Sequence, residues 1–260
     1  MTVSTCFDRD WVIALAKAAG DIALAHFRRT VAQRKPDATI VTAADRAIER
    51  FLVDELRRRY PHDGILGEEG ASDRSASGRI WVLDPLDGTA VFAAGLPIWA
   101  ISIGLLEGGR PLAGVVYLPA TNDCFAAGLD GPATLNDIPI AVMPPGPYDD
   151  ETILFGVAEA HRSWEMDFPG KVRAFGACAA HMCYVARGSG VGMINTHTAI
   201  WDIAGALPIL ERAGGKAVLL DGTELDLAAF LDGRKLPQPL LAAAPYYLDD
   251  LRRRLRYKGD

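Results

Sequence analysis

Apolar residues recur at helical spacing between residues 10 and 29, at Trp11, Leu15, Ala18, Ile22 and Ala25, which predicts an amphipathic helix. The period returns over residues 43–60, with Ile48, Phe51, Leu52 and Leu56 on one face. Thr42 stands where it can cap that second helix, Asp45 lies in its first turn and Pro61 stops it. Arg57, Arg58 and Arg59 crowd its far end, where cations favour the helix dipole. After the helix, Ile65 and Leu66 predict a short strand leading into Gly67-Glu68-Glu69-Gly70.

From Ile80 the pattern changes to short apolar runs. Residues 80–83 predict a buried strand, 98–106 and 112–118 a hairpin turned at Glu107-Gly108-Gly109-Arg110, and 123–127 another strand. Residues 128–139 form a turn-rich excursion, and Pro144-Pro145-Gly146-Pro147 is the strongest punctuation in the chain. It suggests two halves, 1–145 and 146–260. The second half alternates, with strands at 152–157 and 216–220 and helices at 177–186 and 201–213. Pro208 lies inside the last of these and predicts a kink or bend. Helices first, then an antiparallel-leaning sheet, then alternation describe an α+β protein.

Composition narrows the function. The 260 residues are 50% hydrophobic and 23% charged, and 27 basic against 33 acidic side chains leave a net charge of −6. That balance disfavours nucleic-acid binding, which depends on cations meeting phosphates. The run 89–106 is weakly charged, but Gly95, Pro97, Ser102 and Gly104 interrupt it, so no membrane span is read. The N-terminal MTVSTCFDRD has no secretory pattern. Cys6, Cys124, Cys178 and Cys183 form no CxxC pair and read as reduced thiols of a cytoplasmic protein.

The candidate chemistry begins at Asp84-Pro85-Leu86-Asp87-Gly88-Thr89. Read as a strand end followed by a tight turn, this segment aims two carboxylates at one spot, with the Leu86 carbonyl beside them. Such a pair needs a proton or a cation between its members, and oxygen-only ligation selects a hard ion such as Mg²⁺. Gly88 and Thr89 then open a helical turn whose free N–H groups suit a phosphate. The same residues also satisfy a simple Asx turn. Glu68 and Asp202 are further acidic points, each open to an equally plain reading as a solvated loop acid and a first-turn aspartate.

The order of these segments resembles the inositol monophosphatase family of Mg²⁺-dependent, lithium-sensitive sugar phosphatases. DPLDGT matches its first signature and WDIAGALPILERAGG its second, alongside Val41-Thr42-Ala43-Ala44-Asp45, Gly67-Glu68-Glu69 and the GPATLNDIPI stretch. The resemblance implies a layered αβαβα sandwich, usually a homodimer, acting on a small phosphorylated metabolite. It implies Glu68, Asp84, Asp87, Asp202 and the Leu86 carbonyl as ligands for two or three Mg²⁺ ions. Asp45 and Thr89 match the pair that activates water, with Glu68 also at the catalytic centre, and Gly88 and Thr89 match the phosphate donors. Cys178 and Asn195 fall on the substrate rim. Asn195 stands where many relatives carry a glutamate that binds inositol hydroxyls, and Val91 where many carry asparagine. The expected reaction is therefore hydrolysis of a polyol or sugar phosphate. Fructose 1,6-bisphosphate, histidinol phosphate and adenosine 3′,5′-bisphosphate are alternative substrates, and a non-catalytic binding protein is the alternative of another class. His181 and Arg187 are candidates for a second phosphate, His197 for the site mouth, and Trp164, Phe168 and Tyr184 for stacking on a base.

Four ionised carboxylates carry a formal charge of −4, and a phosphate monoester adds about −2. Two Mg²⁺ ions leave roughly −2 and three bring the sum to about zero, so metal must precede or accompany substrate.

Overall fold

The computed structural model describes residues 7–29, 32–34 and 40–259; Cys6 and the first residues of the N-terminal reading lie outside them. The first helix, Arg9–His26, begins one residue earlier than its pattern predicts because the Asp8 side chain accepts the Trp11 N–H. The second, Ala43–Arg59, carries the capping box anticipated from Thr42 and Asp45. The two pack together and bury Leu15, Ala19, Ile48 and Leu52 against Trp81, Leu83 and Ile103 of the first sheet.

That sheet has eight strands. Its spatial order is Ile138–Pro139, Thr134–Leu135, Asp123–Ala127, Arg110–Leu118, Ala100–Glu107, Arg79–Asp87, Gly64–Gly67 and Ser72–Asp73. All neighbours are antiparallel except Gly64–Gly67 against Arg79–Asp87. The hairpin turns where the sequence predicts, with Arg110 paired back to Glu107 around two glycines. The turn-rich excursion is itself partly sheet, through Thr134–Leu135 and Ile138–Pro139.

The second sheet runs Lys171–Arg173, Ile153–Phe155, Gly192–Asn195, Leu240–Ala243, Lys216–Leu219. Alternation along its strands separates two cores. Phe155, Met193, Leu240 and Ala242 face inwards and meet the helices Cys178–Ala186 and Leu207–Arg212 together with Val82, Val116 and Phe125 of the first sheet. Leu154, Ile194, Leu241 and Ala243 face outwards and meet Leu248 and Leu251 of the helix Pro245–Arg254. The layers are thus helix pair, sheet, helices, sheet, helix, the αβαβα sandwich expected of the fold. Each sheet comes from one side of the proline run, but the middle core draws on both.

Two segments depart from the predicted helices. Residues 201–213 are not one helix but two, Trp201–Ala204 and Leu207–Arg212, with Pro208 in the first turn of the second. Pro208 has no N–H for the Ala204 carbonyl, so the helix breaks there and restarts. The break lies flat on the first sheet because Gly104 and Gly114 leave room: a Cβ on Gly104 would sit 2.4 Å from the Ala204 oxygen, and one on Gly114 2.1 Å from that of Gly205. The basic run Arg252-Arg253-Arg254-Leu255-Arg256, which by its charge reads as a terminal helix, is not all helix either. It ends as the strand Leu255–Tyr257, antiparallel to Trp164–Met166.

Candidate active site

The Arg79–Asp87 strand does not stop at Leu83, as a turn at DPLDGT would require. It continues through both aspartates, and the irregularity is a bulge. Asp84 pairs with Ser102 and Asp87 with Ala100, so Pro85 and Leu86 lie opposite the single residue Ile101. Three positions apart in a regular strand, the two aspartates would point to opposite faces. The extra residue returns Asp87 to the face of Asp84, and proline is tolerated because a bulge has no ladder bond to give there. Gly88 follows with φ +88°, where a Cβ would stand 3.0 Å from that of Ala177. Only glycine meets both conditions without strain. The short helix Thr89–Ala93 begins at once.

Glu68 and Asp202 are brought to the same place. A cavity of about 350 Å³ is lined by Glu68, Asp84, Leu86, Asp87, Thr89 and Asp202, with Gly88 on its edge. Glu68 is delivered by the Gly67–Ala71 loop, which is held by a residue the sequence reading missed. Buried Glu49 accepts the N–H of Glu69 at 2.8 Å and that of Ala71 at 3.0 Å. Its signal is an acid on the buried face of the second helix, between Ile48 and Leu52. Asp202 is fixed by the Ala199 N–H at 2.7 Å. Asp87 accepts the N–H groups of Cys178 and Ala180 at 2.7 and 3.1 Å, capping from the first sheet a helix whose own N-cap, Ala177, has no side chain to do so.

Asp84 and Asp87 are only 2% and 4% exposed. Burial drives the Asp84 carboxyl well above the usual range, and repulsion from Glu68, Asp87 and Asp202 adds to it. Burial likewise pushes Asp87 to about 7, against the stabilising N–H groups of the Cys178 helix. It pushes Asp202 to about 8, with Asp87 and Glu68 adding to the effect and the Ala199 N–H opposing it. Four carboxylates therefore act on one another in a single corner, which Arg34 also lines. Among the described residues no three histidine, cysteine, aspartate or glutamate side chains close on one point by themselves. They line a cavity that a cation with all-oxygen preferences would draw in.

Beside this corner, Asp45 has its Oδ2 bound to the Thr42 N–H at 2.7 Å and the Thr42 hydroxyl at 2.6 Å. Its Oδ1 is left to accept from the Thr89 hydroxyl at 2.9 Å. The Leu86 carbonyl lies 3.0 Å from the same hydroxyl, which has one proton for two acceptors.

A larger cavity of about 750 Å³ adjoins the first, sharing Asp87, Gly88 and Asp202 with it. Cys178 and Asn195 line it, and Asn195 donates to the Thr198 hydroxyl at 2.9 Å. Burial raises the Cys178 thiol well above its usual range, and repulsion from Asp202, Asp87 and Asp84 adds to it, which disfavours the thiolate. Val91 also lines the cavity and packs on Gly176, where a Cβ would meet it at 2.4 Å. His181 reaches the wall, but burial pushes it down to about 4 and its Nε2 accepts the Phe175 N–H. It is thus neutral and not an anion binder. Arg187 is turned away, bonded to Ser189 and lying over Tyr184. His197 stands on the cavity wall with φ +55°. Trp164, Phe168 and Tyr184 are absent from the wall, being packed against Tyr257, Tyr148 and Phe155 respectively.

Residues 8–255 match the sequence profile of the inositol monophosphatase family. The chain belongs to that family. This inositol monophosphatase family member is 32% identical over 246 residues to a histidinol-phosphatase of Chlorobaculum parvum, covering 88% of this chain and 95% of the relative. It is 31% identical over 228 residues to a fructose-1,6-bisphosphatase/inositol-1-monophosphatase of Thermotoga maritima, covering 83% and 86%. Its fold superposes on a Thermotoga maritima inositol monophosphatase structure with a TM-score of 0.82, at 27% identity and 94% coverage of each chain. Membership makes it a phosphoric monoester hydrolase.

Proposed function

We propose that the chain hydrolyses a small polyol or sugar phosphate with Mg²⁺ held by Glu68, Asp84, Asp87, Asp202 and the Leu86 carbonyl. The observation that carries this reading is that four carboxylates and Leu86 line a single cavity, with Asp84 and Asp87 buried in it. Mg²⁺ bound there would supply Lewis acidity, which acidifies water and stabilises the departing alkoxide. The protein's own part is positioning. Thr42 pins one Asp45 oxygen, the other accepts the Thr89 proton, and the Thr89 oxygen is then free to accept from a water. That water is oriented by a hydroxyl held between Asp45 and the Leu86 carbonyl, and Asp45 stands behind it to take up the proton. Gly88 leaves the backbone open to a phosphate oxygen.

The larger cavity receives the alcohol. No Trp, Tyr or Phe lines it among the described residues, which speaks against adenosine 3′,5′-bisphosphate as substrate. Retention of every ligand carboxylate speaks against a purely regulatory role. We take residues 1–145 and 146–260 as two halves with the site in their seam, because Asp202 and the Cys178 helix come from the second half and the remaining ligands from the first. A cytoplasmic homodimer is the assembly we propose. Cys124, Cys178 and Cys183 are free thiols, and among the described residues no helix is long and apolar enough to cross a membrane.

Phosphate release from inositol 1-phosphate, fructose 1,6-bisphosphate and histidinol phosphate, with Mg²⁺ and with excess chelator, tests the reading. Turnover of at least one compound, abolished by chelator, is expected. Full activity in chelator would overturn it.

A further inference from the structure

The larger cavity has a pole beside the candidate metal corner, formed by Asp87 and Asp202, and a further stretch of wall that the phosphatase reading leaves unused. That wall is the Ala160–Ser163 turn with Glu159 before it. Arg162 is the only lysine or arginine lining the cavity among the described residues. It forms no ion pair with any described residue, Glu159 included, although Glu159 lies on the same turn and lines the same wall. Almost every other arginine of the second half is engaged by a carboxylate, a carbonyl or a ring, as Arg254, Arg256 and Arg187 illustrate.

The turn is also built to hold its place. Its amides are used internally, with the Arg162 N–H donating to the Glu159 carbonyl at 2.8 Å. Immediately after it, Trp164, Glu165 and Met166 pair with Tyr257, Arg256 and Leu255. The Lys258 N–H donates to the Ser163 carbonyl at 2.8 Å, and Trp164 packs on Tyr257. The terminal strand therefore anchors the wall from behind, and Gly259 joins it in the cavity lining. An exposed guanidinium on the cavity lining, carried by an anchored backbone and without an ion pair among the described residues, is open to an anion.

We propose that Arg162 selects substrates whose alcohol half carries a second anionic group, a phosphate or a carboxylate. This rests on the phosphatase reading of the same cavity. The scissile phosphate occupies the pole beside the metal corner, and the second anion meets Arg162 on the cavity lining. Glu159 opposes such an anion and sets the strength of the preference. His181 is neutral there, and Asn195 and Thr196 offer uncharged hydrogen bonds on the adjoining wall.

The test compares kcat/KM in matched pairs that differ by one anionic group: fructose 1,6-bisphosphate against fructose 1-phosphate, and 3-phosphoglycerate against glycerol 3-phosphate. The first pair reads a phosphate and the second a carboxylate. The native chain is expected to prefer the doubly anionic member of at least one pair. R162A should lower that preference about tenfold to a hundredfold, through KM, as loss of a charged hydrogen bond requires. R162K should restore part of it and E159Q should increase it. Equal kcat/KM within both pairs, or a preference unchanged in R162A and E159Q, would overturn the assignment while leaving the phosphatase reading intact. No phosphate released from any of the four compounds with Mg²⁺ would overturn the assignment, and none released from inositol 1-phosphate or histidinol phosphate either would overturn the phosphatase reading with it.

Discussion

The Asp87 carboxylate accepts the Cys178 amide hydrogen at 2.7 Å, across 91 residues of chain. One side chain thereby terminates a strand of the first sheet, caps a helix of the middle layer and faces the candidate metal cavity. The proposed metal binding and the docking of the Cys178 helix on the first sheet share this carboxylate, so a change to one touches the other.

Asp87→Asn keeps the size of the side chain and one oxygen acceptor but sets an NH₂ against a backbone donor. Turnover should fall by about three orders of magnitude or more, because a shared ligand charge is lost. Thermal unfolding should show a change of only about 1–2 kcal/mol, the scale of a helix cap. Near-native activity with the Mg²⁺ dependence unchanged would refute the ligand role.

Thr89 gives a sharper test of the water-orienting pair. Thr89→Ala removes the hydroxyl that links Asp45 to the cavity and should lower kcat about a hundredfold or more, while Thr89→Ser restores most of it. Equal rates for the two variants would exclude the hydroxyl from the reaction.

The metal-free protein should lose stability as pH rises. Folded Asp87 and Asp202 release their protons near 7 and 8, whereas an unperturbed carboxyl does so near 3.8. Between those values the folded state holds protons that the unfolded state has given up, so each step up in pH favours unfolding. His181 acts oppositely below its ordinary value of 6.5, since burial lowers it to about 4. The unobscured window is therefore pH 6.5 to 8. In chelator, Tm should fall across that window, and added Mg²⁺ should remove the slope; a flat or rising Tm in chelator would contradict the assignment.

Gly104→Ala places a methyl group 2.4 Å from the Ala204 oxygen. Overpacking there should cost about 1–3 kcal/mol and push back the turn that carries Asp202. Calorimetric titration should show weaker Mg²⁺ binding than in the native chain, at a temperature where both are folded. Unchanged affinity would mean that the close approach does not set the position of Asp202.

The five-layer fold was legible where periodicity and punctuation are local. The two first helices, the cap at Thr42 and the hairpin all follow from residues close in sequence, and so does the break at Pro208, once a proline is placed inside a helical pattern. The acidic corner was legible only through the family resemblance: Asp84 and Asp87 alone also satisfy an Asx turn, and Glu68 and Asp202 read as plain acids until the order of the segments joined them. What the pattern hid was long-range. The strand Leu240–Ala243 is a run too short and too uniform to separate from a buried helix. The pairing of Trp164–Met166 with the terminal strand joins residues 91 apart in the Glu165–Arg256 contact. The turn expected at DPLDGT is a bulge because the neighbouring strand supplies partners on both sides of it, a fact no local signal contains. Glu49 was overlooked because a helical acid ordinarily faces solvent, and only the loop packed above it shows otherwise.

The bulge at Pro85 and Leu86 makes the corner tolerant of one kind of change and intolerant of another. Replacing either residue alters a side chain; removing either alters parity. A single-residue deletion would rotate Asp87 to the reverse side of its sheet, among Leu83, Ile101 and Trp99, and leave the opposite side one acid short. Spacing across this corner, more than the identity of what fills it, is what an engineer working on the chain must preserve.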